Sequence, residues 1–162
     1  CRPDSRGSVE IRSADPLAPP RIVSNYLTEP RDAKVLVAGL RMLREIYAQP
    51  SFRDLVTGEE YLPGNGITTE SALEAFARAK GGTVFHPVGT CRMGGDARSV
   101  VDERLRVRGV AGLRVVDASV MPRMVSTNTN AAAVMIGEKG AALILEDAQS
   151  AAAKSRLSSA AA

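Results

Sequence analysis

Residues 83–94 read TVFHPVGTCRMG and contain His86, the only histidine in 162 residues. The apolar residues before His86 predict a strand over residues 83–86, and Pro87 and Gly89 predict a turn directly after it. An imidazole held at the end of a strand can accept a proton near neutral pH, because the unperturbed pKa of imidazole is about 6.5. From this stretch alone, however, a structural role is the commoner explanation of such a histidine.

The composition is typical of a soluble globular protein, with 44% hydrophobic and 24% charged residues. The net charge is +3, but the arginines are scattered and aromatic residues are few, which argues against nucleic-acid binding. No apolar run approaches the roughly 18 residues that cross a bilayer. We therefore expect neither a nucleic-acid partner nor a membrane span.

The two cysteines, Cys1 and Cys91, are too few for a metal site or a disulfide framework. No metal ligands are predicted, and Cys91 is interpreted as a small buried thiol rather than a nucleophile. The chain starts at Cys1 without a methionine or a signal-peptide pattern. This start indicates a piece of a longer protein.

The first half of the chain predicts two strands and two helices. Residues 7–13 alternate apolar and polar, residues 22–27 are rich in strand-forming residues, and prolines separate the two segments. A first helix follows Thr28 and ends before Pro50, and a second helix covers residues 69–80. The first helix carries one apolar stripe, made of Leu36, Leu40, Leu43 and Tyr47. Residues 8–27 and 83–86 together predict a mainly antiparallel sheet with packed helices, an α+β fold.

The second half predicts two short strands, over residues 105–108 and 113–116, and a helix after residue 130 that is apolar on most sides. Such a helix is expected to be buried. Small polar residues over 126–130 precede it, and free N–H groups with a positive dipole end at a helix start suit an anion or a developing negative charge. Plain helix capping is the alternative. Residues 148–162 are rich in Ala and Ser and predict a disordered tail.

The segments HPVGTCRMG, LRVVDASVMP and NTNAAAVMIGEKGA, in this order and spacing, together resemble the C-terminal part of the glucose–methanol–choline family of FAD-dependent oxidoreductases. The choline and alcohol dehydrogenase-like branch is the most similar, because many other branches carry a second histidine where Asn128 stands. The resemblance implies that residues 1–99 are part of a substrate-binding domain that includes the His86 loop. Residues 100–147 would supply a strand and a buried helix that complete the FAD-binding domain.

The resemblance implies that His86 and Asn128 are catalytic. His86 would assist removal of the hydroxyl proton from an alcohol while a hydride passes to flavin N5. Asn128 would hydrogen-bond the substrate oxygen and help to hold an alkoxide-like species. The helix start at residues 128–130 and the segment LRVVDAS, which match the family together with the His86 motif, reverse the structural interpretation of His86.

The resemblance also implies which residues approach the cofactor. Asp117 and Ala118 would lie near the ribityl and phosphate region of FAD, and Asn130 and Ala131 would lie where the helix start meets the isoalloxazine ring. A G-x-G-x-x-G strand–turn–helix, which grips the FAD pyrophosphate in this family, is missing from the chain. We therefore expect FAD to be bound mainly by a missing N-terminal region, and the isolated chain to be inactive.

Three residues depart from the family pattern: Thr127 replaces a usual glycine, Ala132 a usual proline, and Arg108 a frequent histidine. These changes bear on fine geometry and on substrate preference.

The function implied is oxidation of a CH–OH group in a small-molecule alcohol, choline or polyol to a carbonyl. The alternative is a non-catalytic binding or assembly module that retains the fold without the FAD core. An apolar helix left uncovered in the isolated chain would favour a homodimer. The expected location is the cytoplasm, with membrane association through the full-length protein as an alternative.

Overall fold

The computed structural model describes residues 2–160, which form two compact units: Pro3–Val84 is the first, and Arg2 with residues 85–160 is the second. In the first unit, strand β1 (Ser8–Glu10) pairs antiparallel with β2 (Arg21–Val23). Helix α1 (Pro30–Tyr47) contacts helix α2 (Glu70–Lys80). The apolar residues that these two helices bury are Ala33, Val37, Leu73 and Ala77. The predicted second helix is confirmed, since Thr69 caps α2 by accepting the N–H of Ala72.

The buried face of α1 differs from the predicted stripe by about one residue position. Ala33 and Val37 are buried and Leu40 is half-buried. The other three residues of the predicted stripe are at least 44% exposed: Leu36, Leu43 and Tyr47. The residues that α1 buries are thus smaller than the leucines of the predicted stripe, two of which, Leu36 and Leu43, lie on its exposed face.

Asp32, in the first turn of α1, ties the helix to the beginning of the chain. Its carboxylate accepts the backbone N–H groups of Asp4 and Ser5, each at 2.8 Å, and also the Ser5 hydroxyl. Asp32 is only 8% exposed. Burial acts to raise the pKa of Asp32, but the hydrogen bonds and the Arg31 charge outweigh it, so the pKa is lowered from 3.8.

We expect the first unit to lose stability in acid through Asp32. Because the folded-state pKa lies below the unfolded value of about 3.9, the stabilisation is complete above that value and is lost as the pH falls through the folded pKa. The Asp32→Asn variant should therefore be less stable than wild type at neutral pH, and this deficit should shrink at about pH 3. Urea unfolding of both proteins at the two pH values measures it. A deficit that is equal at both would contradict the assignment.

The second unit consists of loops organised around helix α3 (Asn130–Ala160). Its buried apolar core combines loop and helix residues: Val101, Leu105, Val120, Met121, Ile136 and Leu143. Isolated bridges join the loops, pairing Met93 with Val101 and Arg106 with Arg114. The predicted strands over 105–108 and 113–116 are reduced to such bridges.

Residues 83–86 do not form the predicted strand. Phe85 has a φ of +59°, in the left-handed region, and this conformation interrupts a strand. Leu105 has a φ of +62° and interrupts the predicted strand that begins there. The architecture is thus α+β, as predicted, but among residues 2–160 its only sheet is the two-stranded pair β1 and β2.

Helix α3 departs from its prediction in burial and in length. Ile136, Gly140 and Leu143 form one buried face, whereas Val134 and Met135 are each 58% exposed, so the helix is not wholly buried within this chain. The helix also continues to Ala160, where disorder was predicted over 148–162. Alanine, lysine and arginine favour helix once it has nucleated, and this accounts for the extension. Residues 161 and 162 lie outside the described residues.

The assignment of residues 1–99 and 100–147 to two domains of a larger protein stays a prediction. Within this chain, residues 85–99 and α3 lie in the same compact unit. No helix among residues 2–160 combines the length and the apolarity that a membrane crossing requires.

Candidate active site

The loop that carries His86 is fixed by main-chain hydrogen bonds to a later turn. The N–H of Cys91 donates to the Ser119 carbonyl at 3.0 Å, and the N–H of Met93 donates to the Val120 carbonyl at 2.8 Å. Gly89 has a φ of +87°, which favours glycine, and a Cβ there would lie 3.3 Å from the Met121 carbonyl oxygen. Residues 89–93, which follow His86 in the same loop, are therefore held against the segment of residues 119–121.

Asp117 and Ala118 begin the turn whose carbonyl groups accept hydrogen bonds from this loop. Asp117 is extended, and its Oδ1 accepts the Ser119 N–H at 2.7 Å, which caps the short 3-10 helix Ala118–Val120. Asp117 is exposed, whereas Ala118 is half-buried against the apolar core. The two predicted cofactor residues thus lie directly before the carbonyl groups that hold the His86 loop.

Thr129 contacts the His86 ring. The Thr129 Oγ1 lies 3.0 Å from His86 Nδ1, although 43 residues separate the two in sequence. Thr129 is 8% exposed and His86 is half-buried. The Thr129 carbonyl accepts the N–H of Ala133 at 2.8 Å, in the first turn of α3. The hydroxyl is therefore carried by a helix start and is not free to follow the ring.

Asn128, Asn130 and Ala131 surround Thr129 in sequence, and all three are exposed. Asn130 is the first residue of α3. The N–H groups of the first helical turn have no partner within the helix, and they carry the positive end of the helix dipole. Exposed residues at a helix start thus lie directly beside the threonine that contacts His86.

The charged residues of the same region serve the loop structure. Arg92 binds Asp96 through two hydrogen bonds, of 2.7 and 2.9 Å. The hydrogen bond from Arg92 is the main cause that lowers the pKa of Asp96 to about 2. Arg108 donates to the Ser99 Oγ at 3.0 Å and to the Gly94 carbonyl at 2.6 Å. Arg108, which stands where the family often has histidine, therefore closes the end of the loop.

Comparison with known proteins identifies the family of this chain. The family model described as GMC oxidoreductase matches residues 3–137. The chain belongs to the GMC oxidoreductase family. GMC stands for glucose–methanol–choline, the family that the sequence motifs resemble.

Three relatives illustrate the extent of the match. The alcohol dehydrogenase [acceptor] of Pseudomonas putida is 45% identical over 143 residues, covering 88% of this chain and 26% of the relative. The oxygen-dependent choline dehydrogenase of Proteus mirabilis is 46% identical over 138 residues, covering 85% and 25%. An FAD-dependent oxidoreductase from Chaetomium thermophilum superposes with a TM-score of 0.85 at 36% identity, covering 91% and 26%. The chain spans about a quarter of the length of these GMC relatives.

All six predicted GMC site residues lie in one compact unit, and Thr129 is the residue that contacts the histidine. Among the hydrogen bonds of residues 2–160, the one at the His86 ring is made with the Thr129 hydroxyl, at 3.0 Å. Thr129 lies in the polar run of residues 126–130 but was not among the predicted site residues. The available signal was its place between the two asparagines, directly before the first helical residue, where threonine is a favoured capping residue.

Cys91 is a free, half-buried thiol, which agrees with the interpretation of a small structural cysteine. Within residues 2–160, no cluster of three or more His, Cys, Asp and Glu side chains is arranged to hold a metal ion.

Proposed function

We propose that this chain is the C-terminal segment of a longer FAD-dependent oxidoreductase that oxidises a CH–OH group of a small-molecule alcohol, choline or polyol to a carbonyl. The observation that carries the proposal is the His86 ring fixed by Thr129 at the start of α3, within a GMC chain. The named relatives support the substrate class, since they are an alcohol dehydrogenase and a choline dehydrogenase.

His86 is the group that removes the hydroxyl proton of the alcohol. One ring nitrogen, Nδ1, is engaged with Thr129, so Nε2 is the nitrogen that can accept a proton from the substrate. A half-buried imidazole can act in this way because neutral imidazole is an acceptor at one nitrogen and a donor at the other. The ring is already oriented before the substrate binds, which reduces the entropic cost of reaching the reactive geometry.

Asn128 is the proposed partner of His86 at the substrate oxygen. Its amide group carries two N–H donors, and the side chain is exposed and therefore accessible. A hydrogen bond from an uncharged amide stabilises negative charge that develops on the oxygen as the proton leaves. His86 thus accepts the proton, and Asn128 binds the substrate oxygen.

The second unit offers hydrogen-bonding groups where contacts with FAD are proposed. Asn130 and Ala131 are exposed at the start of α3, where main-chain N–H groups suit the electron-rich carbonyl edge of an isoalloxazine ring, and the small side chain of Ala131 permits close approach. The exposed carboxylate of Asp117 is an acceptor for ribityl hydroxyl groups. When bound, FAD supplies the hydride acceptor, flavin N5. The FAD pyrophosphate would be bound mainly by a region outside this chain.

The full-length protein tests the proposed function. Anaerobic addition of primary alcohols, choline and polyols should bleach the visible absorbance of its bound flavin, with a carbonyl product. The isolated chain of 162 residues should neither retain stoichiometric flavin nor oxidise any of them. A full-length protein without flavin would favour the non-catalytic module, and stoichiometric flavin on the isolated chain would disprove the missing cofactor core.

The two asparagines that flank Thr129 should differ in their effects. Asn128→Ala is expected to lower kcat/KM for alcohol by about 10- to 100-fold, as for loss of a hydrogen bond to a charged oxygen. Asn130→Ala is its matched control, since the same substitution two residues later should alter flavin affinity or reduction potential more than alcohol turnover. Steady-state kinetics and flavin titrations of both variants measure this. The reverse pattern would exchange the two roles.

The homodimer stays a prediction. Apolar residues on the outer face of α3 remain exposed in this chain, including Val134, Met135 and Leu145.

A further inference from the structure

The contact between His86 and Thr129 is built from two separately anchored groups. The His86 loop is held through Cys91 and Met93, whose N–H groups bind carbonyls at 3.0 and 2.8 Å. Thr129 is held by the first turn of α3 and is nearly buried, at 8% exposure. A 3.0 Å separation between such fixed partners limits rotation of the imidazole ring.

We propose that Thr129 is a positioning residue that fixes the tautomer of His86, an inference that rests on the proposed function. The Thr129 hydroxyl accepts a hydrogen bond from Nδ1–H, so neutral His86 carries its proton on Nδ1 and presents a bare Nε2. In the proton-transfer step, the O–H bond of the alcohol breaks and an Nε2–H bond forms. The Nδ1–H group donates its hydrogen bond to the Thr129 hydroxyl both before and after this step.

The direction of this hydrogen bond decides whether His86 can act as a base. If the hydroxyl donated to Nδ1 instead, the neutral ring would carry its proton on Nε2, and neither nitrogen could receive a proton from the alcohol without rearrangement. An accepting hydroxyl also suits the protonated ring, since both nitrogens of an imidazolium are donors. A single arrangement of Thr129 therefore serves both protonation states of His86.

The side chain of Thr129 has the properties that this role needs. A hydroxyl can accept a hydrogen bond while it is uncharged. It therefore orients the imidazole ring without adding a charged group beside it. Its β-branched side chain has restricted χ1 freedom. Valine has nearly the same shape but lacks the hydroxyl, and serine retains the hydroxyl without the methyl group. These two replacements separate the hydrogen bond from the shape of the residue.

The tautomer can be observed directly, because His86 is the only histidine in the chain. Proton–nitrogen correlation NMR of the 162-residue chain, prepared without a histidine tag, distinguishes a protonated from a bare ring nitrogen. We expect wild type and Thr129→Ser to show Nδ1–H with a bare Nε2, and Thr129→Val to shift toward Nε2–H. The exposed Thr68 provides the matched control, and Thr68→Val should retain the wild-type tautomer. Wild type in the Nε2–H form, or an unchanged tautomer in Thr129→Val, would overturn the inference.

Kinetics of the full-length, flavin-loaded protein provide a second measurement that does not depend on the isolated chain. Thr129→Val should lower kcat for alcohol oxidation by about 10- to 100-fold, the range seen when a group that orients a ligating histidine is removed. KM should change little and Thr129→Ser should restore most of the rate. A loss confined to KM, or a serine variant as slow as valine, would count against tautomer control. An Nδ1–H tautomer in a protein that oxidises no alcohol would leave the positioning intact and refute the proposed function alone.

Discussion

Replacing His86 with alanine is expected to lower kcat/KM for alcohol oxidation by a factor of about 10² to 10⁴ in the full-length protein. This is the usual contribution of a positioned acid or base. The loss should fall mainly on kcat, because proton removal belongs to the chemical step rather than to substrate binding. Steady-state kinetics, with flavin content measured on the same preparation, test the expectation.

Two further experiments distinguish proton acceptance by His86 from a structural role of this residue. His86→Gln retains hydrogen-bonding groups but cannot accept the proton, so it should be nearly as slow as the alanine variant. Added imidazole should recover part of the rate of His86→Ala, since a small external base can enter the space left by the ring. A variant that oxidises alcohol at the wild-type rate would remove His86 from the mechanism. A slow variant that has lost its flavin would instead indicate a structural role.

The sequence predicted those elements whose boundaries are set by local chemistry. Helix α2 was predicted almost to the residue, because Thr69 caps its first turn and glycine follows its last residue. Helix α1 was predicted as an element, but its buried face was misplaced by one position. The choice between Leu36 and Val37 as the buried residue depends on how closely α2 approaches, and hydrophobic periodicity alone does not contain that distance.

The errors around residues 83–86 and 105–108 have a shared physical cause. Phe85 and Leu105 adopt left-handed backbone conformations, with φ of +59° and +62°. Such conformations are rare for bulky residues and persist where surrounding structure imposes them. At Leu105, which is 4% exposed, packing in the core overrode the local β-propensity. Phe85 is 83% exposed and directly precedes His86.

The candidate site could be predicted only in part. The motif around His86 and the polar run before α3 were both visible, and the structure places them in one unit. Which member of that run contacts the ring was not visible. The side chains of three successive residues, 128–130, leave the chain in different directions where the extended segment becomes a helix. Of these three, only Thr129 is buried, at 8% exposure. Asn128, which the family motif implies to be catalytic, is exposed, and its role stays a prediction.

The substitution of Gly140 by alanine is expected to destabilise the second unit by about 1–3 kcal/mol, the usual cost of overfilling a tight contact. Gly140 is buried on the inner face of α3. A Cβ at this position would overlap Cγ1 of Val116 and would lie 3.4 Å from Cδ1 of Leu105. Valine is stiff at χ1 and cannot easily turn away. The contact would therefore have to open between α3 and the segment that leads to Asp117.

Gly137, three residues earlier on the same helix, provides the matched control. A Cβ there meets no heavy atom within 4 Å, so Gly137→Ala should stabilise the helix by about 0.5–1 kcal/mol through helix propensity. Urea unfolding of both variants should thus give shifts of opposite sign. If both shifts were stabilising, close approach at Gly140 would not limit the structure.

A double-mutant cycle locates the cost of Gly140→Ala at a single pair of residues. In a Val116→Ala background the overlapping methyl group is absent, so Gly140→Ala should become neutral or stabilising there, with a coupling energy on the order of 1–3 kcal/mol. Additive effects would place the strain elsewhere. Because Asp117 follows Val116 and opens the turn that holds the His86 loop, the single variant should also weaken flavin binding or turnover in the full-length protein. Recovery of both stability and activity in the double variant would show that the contact between residues 116 and 140 limits how closely α3 approaches the loop.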